Sequence, residues 1–226
     1  MKRNIMIDDL ELAQLLCTRL CHDLAGPIGA VSSGVELMGA DPALIDEEIL
    51  ALLSSSALAG ARKLKFMRIA FGWSGGGDLA LEQVENAFKD YLNATAGPSG
   101  APTLSWADME TLDVFGLSLG DNFEQVLANV VLVGLEVQPR CDRLAIRAGR
   151  NEGELFIEVV NKVLAGAPRV REEIVGVVTG NGQHAIGPQT IQAHLVNRLL
   201  SASGGKVTIR PVSDGIITKA EWNQVS

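Results

Sequence analysis

The sequence predicts an α plus α/β protein: a helical hairpin followed by an α/β sandwich. Three observations carry this reading. Apolar residues recur at alternating intervals of four and three from about residue 8 to residue 71, the spacing of helices that pack along one stripe. The run Gly72-Trp73-Ser74-Gly75-Gly76-Gly77 then stops that pattern. Beyond it, helical stretches mix with short alternating segments of strand type. The expected organisation is a hairpin over 1–72, a glycine-rich hinge over 73–78 and an α/β domain over 79–226.

The first helix is expected from Asp8 to Met38, with Cys17, Cys21, Leu24, Ile28, Val31, Val35 and Met38 on its seam. Gly39-Ala40 break it, and Asp41-Pro42 read as N-cap and first helical position of the second helix. That helix is expected to reach Phe71, with Ile49, Leu53, Ala57, Gly60, Leu64, Met67 and Phe71 on a similar seam. A hairpin leaves half of each apolar stripe in water. Either a second copy covers it, giving a dimeric four-helix bundle, or the second domain does.

In the second region, Leu79 to Ala94 reads as a helix and Asp113 to Leu119 as a short strand. Asp121-Asn122-Phe123-Glu124 opens a strongly apolar helix to Val137, interrupted by Asn129, Gly134 and Glu136. Arg143 to Ala148 and Glu154 to Val160 alternate as strands around a turn at 150–153. Gly187 to Ala202 reads as a helix ended by Gly204-Gly205, and Lys206 to Pro211 with Asp214 to Trp222 as a closing hairpin.

Composition narrows the function. The chain has 226 residues, 47% of them hydrophobic but only 4% aromatic, enough for an aliphatic core. No apolar run approaches the roughly 18 residues of a membrane span. No apolar h-region follows the basic start Lys2-Arg3, so no signal peptide is expected. Three cysteines without a repeating pattern suit a reducing cytoplasm, and a net charge of −8 argues against a general nucleic-acid binder. The expectation is a soluble, cytoplasmic, acidic protein.

The stretch Cys21-His22-Asp23-Leu24-Ala25-Gly26-Pro27-Ile28-Gly29 puts two glycines and a proline inside a helix. In a helix interior Pro27 costs about 3 kcal/mol and each glycine about 1. Pro27 also leaves the Asp23 carbonyl without its helical donor and predicts a kink. Thr18, His22, Ala25, Gly26, Gly29, Ser32 and Ser33 share one side, beside the seam. Apart from the histidine they are small, leaving ground on which another backbone can pack. Read alone, His22 is an ordinary surface histidine. A metal site with Cys17 and Cys21 is disfavoured, because the cysteines point along the seam and His22 away from it.

The ordered set His22-Asp23, then Pro27-Ile28, resembles the H-box of histidine-kinase dimerisation and phosphotransfer domains. The resemblance implies that His22 accepts and donates a phosphoryl group and that Asp23 orients the ring or holds a proton. Imidazole suits this role, being nucleophilic when neutral and a ready phosphoryl donor afterwards. Arg62, Lys63, Lys65 and Arg68 form a basic cluster on the second helix, read as a solvated face or as a docking surface for an acidic partner. The expected partner-binding set is Thr18, Arg19, Ala25, Gly26, Gly29, Ser33, Arg62, Lys63, Lys65 and Arg68.

From Leu79 onward the chain resembles, more faintly, the ATP-binding domain of histidine kinases, a Bergerat-type α/β sandwich. The helix around Gln125 to Val133 matches the one that carries two asparagines four apart. Asn129 stands at the first, but Val133 at the second, where an oxygen ligand for Mg²⁺ belongs. The strand Leu155 to Val160 runs into Asn161-Lys162-Val163-Leu164-Ala165, lacking the acid and glycines of the adenine box. Thr190 and Gln192 fall on glycine positions of the phosphate box. The loop from Gly180 to Gly187 lacks the lysine and hydroxyl of a phosphate loop. His184 and His194 read as a loop residue and an ordinary helix residue.

An HDLAGPI box with an eroded ATP domain is similar to the ChpT family of dimeric histidine phosphotransferases. That resemblance implies transfer of a phosphoryl group through His22 without ATP. It would run from the receiver domain of a CckA-type hybrid histidine kinase to CtrA-type and CpdR-type response regulators. No cofactor is expected in this chain, since the receiver would supply Mg²⁺, the aspartate and a lysine. No nucleic acid or membrane partner is expected. An active ATP-dependent kinase core and a non-catalytic scaffold that docks receivers remain alternatives.

Overall fold

The computed structural model describes residues 7–40, 46–72, 81–97, 100–106, 123–151, 154–164, 168–180, 184–202 and 204–223. Helix α1 (Asp9–Ala40) is helical throughout, Pro27 included. Helix α2 (Glu47–Ala70) begins behind Asp46, whose backbone is extended and whose side-chain Oδ1 accepts the Ile49 N–H at 2.8 Å. The long second helix is therefore capped at Asp46 and not at Asp41-Pro42, which lie outside the described residues. Both aspartates are good cap residues, and the choice follows the backbone. Gly72, at φ 82°, ends α2 in the left-handed region that glycine takes without strain.

Where the hairpin helices meet, α1 offers Gly34 to the Leu53 side chain and Pro27 to Gly60, 3.4 Å from where a Cβ would stand. The expected seam is only partly covered by this pairing. Leu24, Val31 and Met38 are half-buried, while Cys17, Cys21, Ile28 and Val35 remain exposed. On α2 only Phe66, Met67, Ile69 and Ala70, at its C-terminal end, are buried.

That end is held by the rest of the chain. Helix α3 (Leu81–Thr95) brings Phe88 and Tyr91 to Phe66. The Phe66 and Phe88 rings meet edge to face at 4.9 Å, and Phe66 and Tyr91 stack at 4.1 Å. Strand β1 (Thr103–Trp106), missed in the sequence because it is four residues long, adds Trp106 against Phe88 at 5.4 Å. The strand expected over 113–119 falls outside the described residues, as do the hinge at 73–78, the turn at 152–153 and loop residues 181–183.

Helix α4 (Phe123–Val137) is apolar on nearly all sides and is buried almost throughout, as a helix between layers must be. Strands β2 (Arg143–Asn151) and β3 (Glu154–Lys162) form the predicted hairpin. A short helix α5 (Glu172–Val178), too brief to show a period in the sequence, precedes α6 (Ile191–Ala202). Helix α6 starts four residues later than expected, because Gly187 to Thr190 form a turn closed by Thr190 Oγ1 on the Gly187 N–H at 3.0 Å. Strands β4 (Lys206–Val212) and β5 (Gly215–Asn223) complete a five-stranded sheet of order β1-β2-β3-β5-β4. Its pairs are antiparallel except β1 with β2.

One face of the sheet carries α4 and α6, burying Leu144, Ile146, Ile157, Val159 and Ala220. On the other face Arg147, Glu158 and Lys219 stand in cross-strand register, a line of alternating charge suited to water. No helix among the described residues is long and apolar enough to cross a membrane.

A buried polar hub ties the layers together. Asn129 on α4 donates through Nδ2 to the carbonyls of Ala70 and Gln125, both at 2.6 Å, and accepts from Gln192 Nε2 on α6. Ala70 ends α2, so its carbonyl has no partner within the helix and this side chain supplies one. Asn129→Ala leaves that carbonyl and the Gln192 amide unpaired in the interior. We expect unfolding free energy in urea to fall by about 2 kcal/mol, and an unchanged denaturation midpoint would contradict the hub.

Candidate functional site

His22 lies in the middle third of α1 with its side chain 83% exposed. Its Nδ1 is 3.2 Å from Oδ1 of Asp23, which leaves Nε2 directed away from that contact. Around it the ground is open as the sequence predicts: Thr18, Ala25, Gly26, Gly29, Ser32 and Ser33 are all exposed. A Cβ on Gly26 or Gly29 would meet nothing within 4 Å. At these two positions, among the described residues, there is room for a partner's backbone to approach.

Asp23 is held far more firmly than its neighbour. Its other oxygen accepts Arg19 Nε at 2.8 Å, one helical turn back. Arg19 in turn places Nη1 2.6 Å from Oε1 of Glu136, near the end of α4. This is an ion pair off the line of an aligned hydrogen bond, and neither Glu136 oxygen has an aligned donor. Burial opposes the charge on Arg19, but Glu136 and Asp23 together outweigh it and raise its pKa above the ordinary value. Burial pushes the Glu136 carboxyl up, with Arg19 and then Arg171 pulling it back only in part. Arg19, expected at the partner surface, is thus turned inward with 17% of its side chain exposed.

Pro27 has a consequence in space. Lacking an N–H, it leaves the carbonyl of Asp23 free, and Lys63 Nζ from α2 donates to that oxygen at 3.3 Å. The proline thereby makes a socket for the second helix beside the histidine. The expected basic cluster is split accordingly. Lys63 faces α1, Arg62 pairs with Asp90 of α3 at 3.1 Å, and Lys65 and Arg68 are exposed. Arg19 and Lys63 belong to the support of Asp23, whereas the small residues ring His22.

Glu136 and Tyr91 were not singled out from sequence. The signal for Glu136 was present, an acid inside an apolar helix. Tyr91 had none, since one aromatic on an amphipathic helix reads as core.

The groove along the exposed seam is apolar, about 310 Å³, and lined by Leu24, Ile28, Val31, Ala57 and Leu64 among others. It begins at Leu24, two residues beyond His22. Across the molecule, the residues set against the nucleotide boxes are engaged with the protein itself. Asn129 and Gln192 bond each other in the interior, and Thr190 Oγ1 bonds Gly187 and the Ala185 carbonyl. Val133 and Asn161 are wholly buried. Among the described residues no three His, Cys, Asp or Glu side chains converge as metal ligands.

A hairpin presenting an exposed histidine, joined to a mixed sheet backed by helices, is the architecture of histidine-kinase-like phosphotransfer proteins. A family model of the histidine phosphotransferase C-terminal domain matches residues 103–215, half of the chain. Over 221 residues the chain is 28% identical to the protein phosphotransferase ChpT of Brucella abortus (strain 2308), covering 96% of this chain and 98% of that one. A solved bacterial phosphotransferase superposes with a TM-score of 0.75 at 26% identity, over 96% of this chain and 98% of its own. The histidine kinase ThkA, solved with the response regulator TrrA, shares the fold at a TM-score of 0.50 and 14% identity, over 96% of this chain and 63% of that one. The chain belongs to the ChpT family of histidine phosphotransferases.

Tyr91, the single tyrosine of the chain, reports on the packing behind the site. Burial first, and the negative charge of Asp23 second, raise its pKa well above the ordinary 10.0. A raised pKa in the folded state gives a stabilising contribution that is complete below the ordinary value. It is lost as pH climbs past that value toward the folded one. Near-ultraviolet titration should therefore show no phenolate at the ordinary pKa while the protein stays folded. Ionisation at the ordinary value in the native state would contradict the burial.

Proposed function

We propose that His22 carries a phosphoryl group from the aspartyl phosphate of one receiver domain to the aspartate of another. The observation that carries this reading is an imidazole 83% exposed, tied at Nδ1 to Asp23 and ringed by residues without bulk. With its proton on Nδ1, the ring offers the Nε2 lone pair to phosphorus. A nitrogen–phosphorus bond forms as the acyl phosphate P–O bond breaks, and the receiver carboxylate leaves with the electron pair. Asp23 offsets the positive charge that develops on the ring, and the second transfer reverses the same steps. Phosphoryl transfer is chiefly positioning and charge neutralisation, so a lone well-placed imidazole suffices when the receiver brings Mg²⁺ and a lysine.

Transfer without ATP is supported by the interior of the second domain. The asparagine that would serve a metal–nucleotide is spent on Ala70, Gln125 and Gln192, and a valine stands at the other metal position. The apolar groove beside His22 supports a homodimer in which a second hairpin completes a four-helix bundle. The family resemblance points to a CckA-type hybrid kinase as donor and to CtrA-type and CpdR-type regulators as acceptors, in the cytoplasm. The kinase that shares this fold was itself solved with a response regulator.

Two experiments test the proposal. Incubation with a phosphorylated receiver should label the wild-type protein and leave His22→Ala unlabelled; equal labelling of both would remove the histidine from the account. Reversal of charge at Lys65, which is exposed, should slow transfer severalfold at low salt and little at high salt. Equal slowing at both would point to lost packing instead of lost attraction.

A further inference from the structure

We propose that Glu136, on the last turn of α4, is a positioning residue for His22, acting through Arg19 and Asp23. The inference rests on the reading of His22 as the phosphoryl carrier, and it adds a role for the second domain at that site. Four side chains form an unbroken line. Glu136 Oε1 is 2.6 Å from Arg19 Nη1, Arg19 Nε is 2.8 Å from Asp23 Oδ2, and Asp23 Oδ1 is 3.2 Å from His22 Nδ1. Exposure rises along it from the interior outward, from 10% at Glu136 through 17% and 20% to 83% at His22.

Each link removes a freedom that the next would otherwise have. An aspartate on an exposed helix samples several rotamers, and most of them take its oxygens away from the neighbouring ring. Arg19 removes that choice by engaging Oδ2, which leaves Oδ1 for Nδ1. Arginine is itself a long side chain with much rotamer freedom, and on α1 alone nothing would prevent it from swinging into water. Glu136 holds its far end against α4, a helix packed on almost every side. The guanidinium fork can face two carboxylates at once, which an ammonium cannot do with comparable geometry.

The charged and titratable groups around this line come from every neighbouring element. They are Lys63 of α2 on the Asp23 carbonyl, Tyr91 of α3, and Arg171, which precedes α5 and acts on Glu136. None of these bonds His22 in the structure. The line through Arg19 joins the second domain to the ring. Its effect on chemistry is the choice of tautomer. A free imidazole favours the proton on Nε2, whereas an acceptor fixed at Nδ1 keeps the proton there and leaves Nε2 as the nucleophile.

The test uses the full chain with Glu136→Gln, which keeps the shape and removes the charge. Imidazole ¹⁵N–¹H correlation spectra resolve the ring of His22, assigned by its absence in His22→Ala. The chain has three histidines, so overlap is slight. Wild type should show the Nδ1–H tautomer, and Glu136→Gln a mixture of both. Phosphoryl transfer from a receiver should slow up to about fivefold in the variant, in step with the loss of the Nδ1–H form, with receiver binding unchanged. If Glu136→Gln fails to fold, Arg19→Lys replaces it, since the ammonium keeps the charge but not the fork; the same mixture is expected. An unchanged tautomer and rate in the folded variant would overturn the proposal. The tautomer is read without any phosphoryl donor. A wild type that is never labelled would therefore sink the carrier reading, while the spectra still decide whether Glu136 orients the ring.

Discussion

The carboxylate and carbonyl of Asp23 are the point on which the two halves of the molecule converge. Its carbonyl, freed by Pro27, receives Lys63 from α2, and its carboxylate receives Arg19, which reaches Glu136 on α4. The residue next to it in sequence, His22, is 83% exposed and contacts Asp23 through Nδ1. A rigid residue and a solvent-facing one thus sit side by side on one helical turn. The arrangement explains why glycine and proline are tolerated at 26, 27 and 29. Their cost is local to α1, whereas the clearing and the Lys63 socket they create belong to the assembled fold.

The sheet domain contributes rigidity at this point. The aromatic group of Phe66, Phe88, Tyr91 and Trp106 locks the end of α2 to α3 and β1. Asn129 locks the same end to α4 and α6. Asn129 and Gln192, side chains of two different helices, hold those helices together in the interior. The same domain carries Glu136, whose carboxylate faces Arg19.

The sequence made the hairpin, the apolar helix over 123–137, the β2–β3 and β4–β5 hairpins and the exposed histidine readable, because each rests on local periodicity or on a motif. Strand β1 and helix α5 escaped because four and seven residues are too few to show a period. The start of α2 was misplaced because Asp41-Pro42 and Asp46 are both good caps, and only the folded chain chooses between them. Arg19 and Lys63 looked like surface cations for a reason that holds for any one-dimensional reading. Their partners lie 117 and 40 residues away at Glu136 and Asp23, and no spacing rule connects them. Glu136 did carry a signal, since a carboxylate in an apolar helix needs a buried cation, but the identity of that cation is a property of the fold.

The central claim is that the phosphoryl group on His22 comes from another protein and not from nucleotide. The most direct measurement supplies the purified chain with labelled ATP and Mg²⁺ in one reaction and with a labelled phosphorylated receiver in another, then maps the modified residue. The account predicts label on His22 from the receiver alone. Label on His22 from ATP alone, without any receiver or kinase present, would contradict it.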